Sequence, residues 1–144
     1  LLPVDIVICA AAISDFKPKR INKNKVKKNS INSMTLELIK NQDILNFLGK
    51  NNKLRPKIVV GFSAETENLV NNSMKKLEEK HCDLIIANDV SKKDSGFNSD
   101  YNEVLIIQKN GKMEKLKKSK KTFIASVIAE KIMNKFLFDK KNIN

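Results

Sequence analysis

The sequence predicts an α/β domain in which a mostly parallel sheet carries helices on both faces and an antiparallel hairpin at its edge. Apolar runs that read as buried strands alternate with amphipathic segments of helical spacing, which is typical of a parallel sheet covered by helices. Asn110-Gly111 then separates two further strand-like runs, and that pair is a strong signal for a hairpin turn. The length of 144 residues suits one domain.

The predicted strands are short apolar or alternating runs. Residues 4–10, 57–62 and 83–87 are nearly continuous in apolar side chains and read as buried strands. The alternating segment 34–39 reads as a further strand, and 103–108 with 113–116 form the hairpin. Residues 14–33 are polar and basic and are predicted to be a long loop, and 139–144 a tail.

Three helices are predicted from capping residues and apolar spacing. Asn41 is expected to cap a helix that starts at Gln42, and Thr66 to cap the next one, with Glu67 in its first turn. The expected inner faces are Ile44, Leu45 and Leu48 for the first helix, Leu69, Val70, Met74 and Leu77 for the second, and Phe123, Ile124, Val127, Ile128, Ile132 and Phe136 for a helix over 123–138.

The net charge of +12 is concentrated in two segments. Residues 17–28 hold seven basic residues and no acid, and residues 109–121 hold seven lysines and Glu114. Such segments can bind the phosphates of a nucleotide or a nucleic acid, or can be solvated, lysine-rich surface. Apart from Phe16 they lack the stacking aromatics that nucleic-acid binding favours, so neither a nucleic-acid nor a membrane partner is predicted.

Composition excludes several classes of protein. With 41% hydrophobic and 31% charged residues the chain is neither disordered nor a membrane protein, and no run of about 18 apolar residues predicts a membrane helix. Cys9 and Cys82 cannot form a disulfide framework or a usual zinc site, and they are expected to be small buried hydrophobes in a cytoplasmic protein. The chain begins almost directly in a strand, so a segment upstream is expected.

Ligands of such sheets bind beyond the carboxyl ends of the strands, where this chain has small or polar clusters. The clusters are AAISDF, SAET and ANDV. Asp15 in the first could accept hydrogen bonds from ribose hydroxyls, hold a metal-bound water, or only cap a turn. Phe62, at the end of a strand, could stack on a base or belong to the core.

Three further motifs have both a functional and an ordinary interpretation. Lys25-Val26-Lys27-Lys28 could be a flap that closes on phosphates, or a solvated loop. The helix start at Gln42-Asp43 could contact a base or sugar, or be an ordinary capped helix. Lys76 and Lys80, four residues apart on one helix face, could bind a triphosphate or pair with nearby glutamates.

Taken in order, these segments resemble the phosphopantothenoylcysteine synthetase family of bacterial coenzyme A biosynthesis. The matching blocks, from about residue 5 to 136, are AAISDF, KVKK, LELIKNQDIL, VGFSAET, the lysine helix, DLIIANDV and GFNSDYNEV. The resemblance implies a Rossmann-like fold, a homodimer in which each subunit completes the other's site, and a fused flavin-dependent (FMN) decarboxylase domain upstream.

The resemblance also implies the reaction. Phosphopantothenate attacks CTP to give an acyl-cytidylate and pyrophosphate, and cysteine then attacks the acyl centre and releases CMP. The chemistry needs Mg²⁺, charge neutralisation at the phosphates and exclusion of water, but no protein nucleophile. Lys25 is implied to be the catalytic flap lysine. The implied nucleotide-binding residues are Cys9, Ala10, Ala11, Asp15, Lys25, Gln42, Asp43, Ile44, Leu45, Phe62, Lys76 and Lys80.

The chain departs from the family pattern in two respects. The family has proline where this chain has Gln42, a position where proline is favoured but dispensable. The Gly-rich turn and an asparagine that the family supplies upstream are absent from this sequence, so this segment alone is expected to form an incomplete active site. A non-catalytic remnant and a basic nucleic-acid-binding module therefore remain as alternatives, the metal ligands stay unassigned, and Asn88 and Asp89 receive no role.

Overall fold

The computed structural model describes residues 2–26, 33–50, 53–91 and 99–141, with side chains up to residue 137. The chain divides into two compact units, one formed by residues 1–10 and 45–144 and the other by residues 11–44. The elements, in chain order, are β1 Ile6–Cys9, β2 Phe16–Pro18, β3 Leu38–Lys40, α1 Ile44–Lys50, β4 Ile58–Glu65, α2 Leu69–Glu79, β5 Leu84–Asp89, β6 Tyr101–Gln108, β7 Met113–Lys120 and α3 Lys121–Lys141.

The larger unit contains a five-stranded sheet in the order β1-β4-β5-β6-β7. β1, β4 and β5 are parallel, with Cys9 opposite Gly61 and Glu65 opposite Asp89. β6 and β7 continue the sheet as an antiparallel hairpin, and Gly111 in its turn has a φ of 82° that only glycine adopts without strain. The predicted fold class, a mostly parallel sheet with an antiparallel edge, is confirmed.

Helices cover both faces of this sheet. On one face α3 packs on Ile58, Val60 and Ile86 through Ile128 and its neighbours. On the other face Leu45 of α1 and Leu77 of α2 join a second apolar cluster with Val59, Ile85 and Cys82. Odd-numbered residues of β4 therefore face α1 and α2, and even-numbered residues face α3, as the two-residue period of a strand requires.

The smaller unit is organised by an antiparallel pair, in which Phe16 of β2 lies opposite Lys40 of β3. Lys19 and Glu37 form an ion pair of 2.6 Å across it. Much of its apolar surface is exposed, including Ile13, Phe16, Ile21, Met34, Leu36 and Leu38. The predicted flap lies in this unit, although its residues 27–32, including Lys27 and Lys28, fall outside the described part.

The predictions for the ends of elements need several corrections. β2 lies inside the segment predicted to be a loop, and β3 begins at Leu38 rather than at residue 34. Asn41 does not cap α1, which starts at Ile44, because its backbone N–H and its side-chain amide donate to the carbonyls of Asp15 and Ser14 at 2.8 and 2.7 Å. α3 continues to Lys141, into the predicted tail.

Helix α2 also starts later than predicted. Its N-cap is Asn68, in the left-handed conformation with φ 49°, and no acidic residue lies in its first turn, so neither Thr66 nor Glu67 has the predicted place. The reason is that β4 extends to Glu65, whose carbonyl accepts a hydrogen bond from the N–H of Val90 at 3.0 Å. Val70 and Phe123, predicted to be buried, are 40% and 56% exposed.

Candidate functional site

Gly61 lies at the centre of the sheet face that α1 and α2 cover. A Cβ at this position would lie 2.7 Å from Cδ1 of Ile85, 2.8 Å from Cδ2 of Leu45 and 3.4 Å from Sγ of Cys82. The absence of a side chain thus lets α1 and the segment before β5 pack directly on β4. Cys9, at the end of β1, is the strand partner of Gly61. Two of the predicted site residues, Cys9 and Leu45, are therefore neighbours of one glycine.

The Cys82 thiol, which lies beside Gly61, is influenced by the charge of a third predicted residue, Lys76. The pKa of the Cys82 thiol is raised to about 12, mainly by burial and to a lesser extent by Asp83 and Cys9, while Arg55 and Lys76 oppose the rise. Burial also raises the pKa of Cys9. Both thiols are therefore neutral near pH 7 and are not activated nucleophiles. Cys9 and Lys76 are thus two predicted site residues that influence the ionisation of this thiol.

Lys76 and Lys80 lie at the carboxyl end of α2, and both are half-buried. Lys80 is the C-cap residue, and its backbone N–H donates to the carbonyl of Lys76 at 3.0 Å. Because α2 connects two parallel strands, it runs back from the carboxyl end of β4 toward the amino end of β5. Lys80 accordingly lies near the amino edge of the sheet, whereas the sequence placed the chemistry at the carboxyl ends.

Phe62 is separated from this cluster by the sheet itself. It is half-buried and packs on the cluster that contains α3, on the face opposite α1 and α2. The core alternative for this side chain agrees with that packing. That Phe62 stacks on a nucleotide stays a prediction. The ring lies on the α3 face of the sheet, which does not favour stacking on a nucleotide bound beside Lys76.

The remaining predicted residues belong to the smaller unit or directly precede it. Ala10, Ala11, Asp15, Lys25, Gln42, Asp43 and Ile44 are all exposed. Asp15 is tied to the end of β3 through its backbone, since its carbonyl accepts the hydrogen bond from Asn41. Asn41 thereby fixes the segment that carries Asp15 beside the segment that leads to Gln42. Its position directly before a helix made a capping role the more obvious interpretation.

The SAET cluster at the carboxyl end of β4, to which the sequence assigned no individual roles except for Thr66 as a helix cap, contains a network of polar contacts. Ser63, fully buried, donates a hydrogen bond of 2.6 Å to Glu65, and Asn72 of α2 donates to the other carboxylate oxygen of Glu65 at 3.3 Å. Asp89, opposite Glu65 in the sheet, accepts hydrogen bonds from the backbone and the side chain of Ser91 at 3.0 and 2.6 Å. The SAET motif was the available signal for this cluster.

Among the residues that the structure describes, three or more histidine, cysteine or acidic side chains never come together as a potential metal site. None of the helices there combines the length and apolar character that crossing a membrane requires.

Comparisons with known proteins identify the family of the chain. The model of the DNA/pantothenate metabolism flavoprotein C-terminal domain family matches residues 2–136. The chain is 42% identical over 125 residues to the coenzyme A biosynthesis bifunctional protein CoaBC of Borreliella burgdorferi, covering 86% of this chain and 30% of that protein. It is 42% identical over 128 residues to the Bacillus subtilis protein of the same name, covering 89% and 31%.

A solved structure gives the same result for the fold. The crystal structure of the C-terminal domain of a coenzyme A biosynthesis bifunctional protein CoaBC superposes with a TM-score of 0.69 at 29% identity, covering 96% of this chain and 56% of that one. The chain thus spans about a third of the curated relatives' length and about half of the solved domain. The chain belongs to the DNA/pantothenate metabolism flavoprotein C-terminal domain family.

Proposed function

We propose that this chain is the nucleotide-binding part of a CTP-dependent ligase that joins 4'-phosphopantothenate to cysteine. Its family and its relatives, which are named for coenzyme A biosynthesis, support this assignment. The structural observation that carries the proposal is the convergence around Gly61. There, Cys9 of β1 is the strand partner of Gly61, Leu45 of α1 packs on it, and the Cys82 thiol beside it is influenced by the charge of Lys76 from α2.

The proposed reaction has two steps. A carboxylate oxygen of phosphopantothenate attacks the α-phosphorus of CTP, and the bond to pyrophosphate breaks, which leaves an acyl-cytidylate. The cysteine amine then attacks the acyl carbon, CMP leaves with the bonding electron pair, and the amine loses a proton. Neither step requires a protein nucleophile, in agreement with the neutral thiols of Cys9 and Cys82.

The contribution of the protein is to bind and to neutralise charge. In this proposal Lys76 and Lys80 bind the triphosphate, and Lys25 neutralises charge at the reacting phosphate. Cationic groups placed where negative charge develops lower the barrier to phosphoryl and acyl transfer. Cys9, Ala10, Ala11 and Asp15 line the nucleotide after β1, and Gln42, Asp43, Ile44 and Leu45 contact its base or sugar from the start of α1.

Mg²⁺ is proposed to arrive with the nucleotide. This ion is commonly held by substrate phosphates together with one or two carboxylates and several waters, so it does not need a cage of protein ligands. It would neutralise phosphate charge when bound. The described residues present no cluster of potential ligands, so no protein ligand is assigned to it.

The proposal includes a homodimer, a fused flavin-dependent (FMN) decarboxylase domain and a location in the cytoplasm. An isolated two-stranded hairpin has little stability of its own in water. The smaller unit, which the β2–β3 pair organises, exposes large apolar side chains, among them Phe16, Met34 and Leu38 at 51%, 66% and 50%. Such a surface gains stability when a second subunit covers it, which supports the dimer.

Turnover by the longest natural chain that carries this sequence tests the assignment. CMP and pyrophosphate release would be measured with CTP, phosphopantothenate and cysteine, and with ATP in place of CTP. Lys25→Gln is expected to lower turnover by roughly a hundredfold or more, because a charge that stabilises the transition state is lost. The fold should persist, since the side chain is exposed.

Lys23→Gln is the matched control, as it removes a charge from the same exposed segment. Its turnover should stay near that of the wild type. Equal activity of the Lys25 variant and the wild type would remove Lys25 from the mechanism. A wild-type chain that neither turns over nor is protected from unfolding by CTP would overturn the ligase assignment.

A further inference from the structure

The carboxyl ends of α1 and α2 are packed backbone to backbone. Gly49, buried in the last turn of α1, lies so close to α2 that a Cβ there would be 1.9 Å from the carbonyl oxygen of Lys80 and 3.0 Å from its carbonyl carbon. Both atoms belong to the backbone, so they cannot move aside as a side-chain end can. Only glycine allows this approach, and it fixes the distance between α1 and the C-cap of α2.

Arg55 adds hydrogen bonds to this contact between the carboxyl ends of α1 and α2, which we call the α1–α2 junction. Its Nε donates to the carbonyl of Gly49 at 2.9 Å, and its Nη2 donates to the carbonyl of His81 at 2.8 Å and to Oδ2 of Asp83 at 2.9 Å. The same carboxylate oxygen accepts the backbone N–H of Val59 at 2.8 Å. One planar guanidinium thereby links the end of α1, the segment after α2 and the first residues of β4 and β5.

This junction determines where two lysines of the proposed nucleotide site are placed. Lys80 contributes the carbonyl that contacts Gly49, and its N–H is bonded to the carbonyl of Lys76. Leu45 lies four residues before Gly49 on the same helix, about 6 Å along its axis. The separation between Leu45 and the two lysines therefore depends on how closely α1 and α2 approach each other at Gly49.

We propose that Gly49 and Arg55 are positioning residues, which hold Lys76 and Lys80 at a fixed reach from the start of α1 so that the base and the triphosphate of one nucleotide are bound together. This inference rests on the proposed function. Neither residue contacts the nucleotide in this proposal. A shift of α2 relative to α1 would put the two lysines out of register with a triphosphate whose base is bound at the start of α1, and would so weaken the binding of CTP.

Two variants of the full natural chain test the inference. Gly49→Ala forces α1 away from Lys80, and Arg55→Lys keeps the charge but cannot donate in three directions from one plane. CTP affinity is measured by equilibrium binding, and KM for CTP and kcat by turnover. Both variants are expected to raise Kd and KM for CTP roughly tenfold or more, with kcat at saturating CTP within about threefold of the wild type.

Ile128→Ala is the control, because it destabilises the opposite face of the sheet without contact to α1 or α2. It should lower the Tm and leave the Kd for CTP unchanged. If the two variants lose stability like this control and bind CTP as tightly as the wild type, the positioning role is refuted while the ligase assignment stands. If the wild type does not bind CTP, the assignment fails, and the inference fails with it.

Discussion

Replacing Gly61 by alanine is the most direct test of how α1 is seated on the sheet. The new Cβ would lie 2.7 Å from Cδ1 of Ile85 and 2.8 Å from Cδ2 of Leu45, about 1 Å inside ordinary carbon–carbon contact. Both atoms are ends of side chains, so they can turn away, but they do so within a core that is already filled. Overpacking of this kind costs about 1–3 kcal/mol, and the better strand preference of alanine offsets up to about 1 kcal/mol.

The expected net loss is about 1–2 kcal/mol, or a decrease in Tm of roughly 3–8 °C for a chain of this size. Urea unfolding followed by circular dichroism would measure it. Ile85→Val removes the Cδ1 atom that lies closest to the new Cβ. The free energy of unfolding that the double variant loses should therefore be about 1 kcal/mol smaller than the sum of the losses in the two single variants.

Gly111→Ala is the matched control. It also places alanine at a glycine, but it has no heavy atom within 4 Å of the new Cβ and costs stability only through its φ of 82°. Ile85→Val should not relieve that loss. A Gly61→Ala variant as stable as the wild type, or one whose loss Ile85→Val leaves unchanged, would show that the contacts at Gly61 do not limit the packing of α1.

Two further predictions concern the region next to Gly61. Asp83→Asn should lower the free energy of unfolding, measured in urea, by about 2–3 kcal/mol. The reason is that the partly buried Arg55 loses its ionic partner, and the N–H of Val59 loses a strong acceptor. A loss below about 0.5 kcal/mol would contradict this prediction. The raised pKa of Cys82, about 12 against an ordinary 9.0, means that its contribution to stability is complete below pH 9 and is lost as the pH rises from 9 toward 12, because the unfolded thiol ionises first. Tm measured from pH 8 to 11 should therefore fall more steeply in the wild type than in Cys82→Ala, and parallel curves would refute the assignment to this thiol.

Local patterns were sufficient to locate the strands of the five-stranded sheet and the hairpin at its edge. The continuous apolar runs became β1, β4 and β5, of which β4 and β5 are largely buried on both sides, and Asn110-Gly111 formed the predicted turn. Burial on both faces leaves a continuous apolar signal, and a turn that needs a positive φ leaves a glycine. These features depend on residues that are close in the chain, so they can be predicted from local sequence patterns.

Features that depend on distant partners were not predicted. β2 was assigned to a loop because its residues are exposed on both sides and are held by backbone pairing with β3, which leaves no apolar pattern. Asn41 was assigned to a helix cap, but it donates to Ser14, 27 residues away. Phe123 has helical spacing, but α3 packs through Ile124, Ile128 and Ile132, so Phe123 lies to one side of that stripe.

The candidate site divides in the same way. Residue types and their order indicated the lysines and the start of α1, because those motifs are contiguous in the chain, whereas Cys9 was implied only by the family resemblance. Only the packing of α1 and α2 on the sheet showed that Cys9, Leu45 and the helix carrying Lys76 share one face, and that the ring of Phe62 lies on the other. Sequence periodicity tells which residues share a face of their own element, but which element covers that face is determined by close packing between segments that are far apart in the chain.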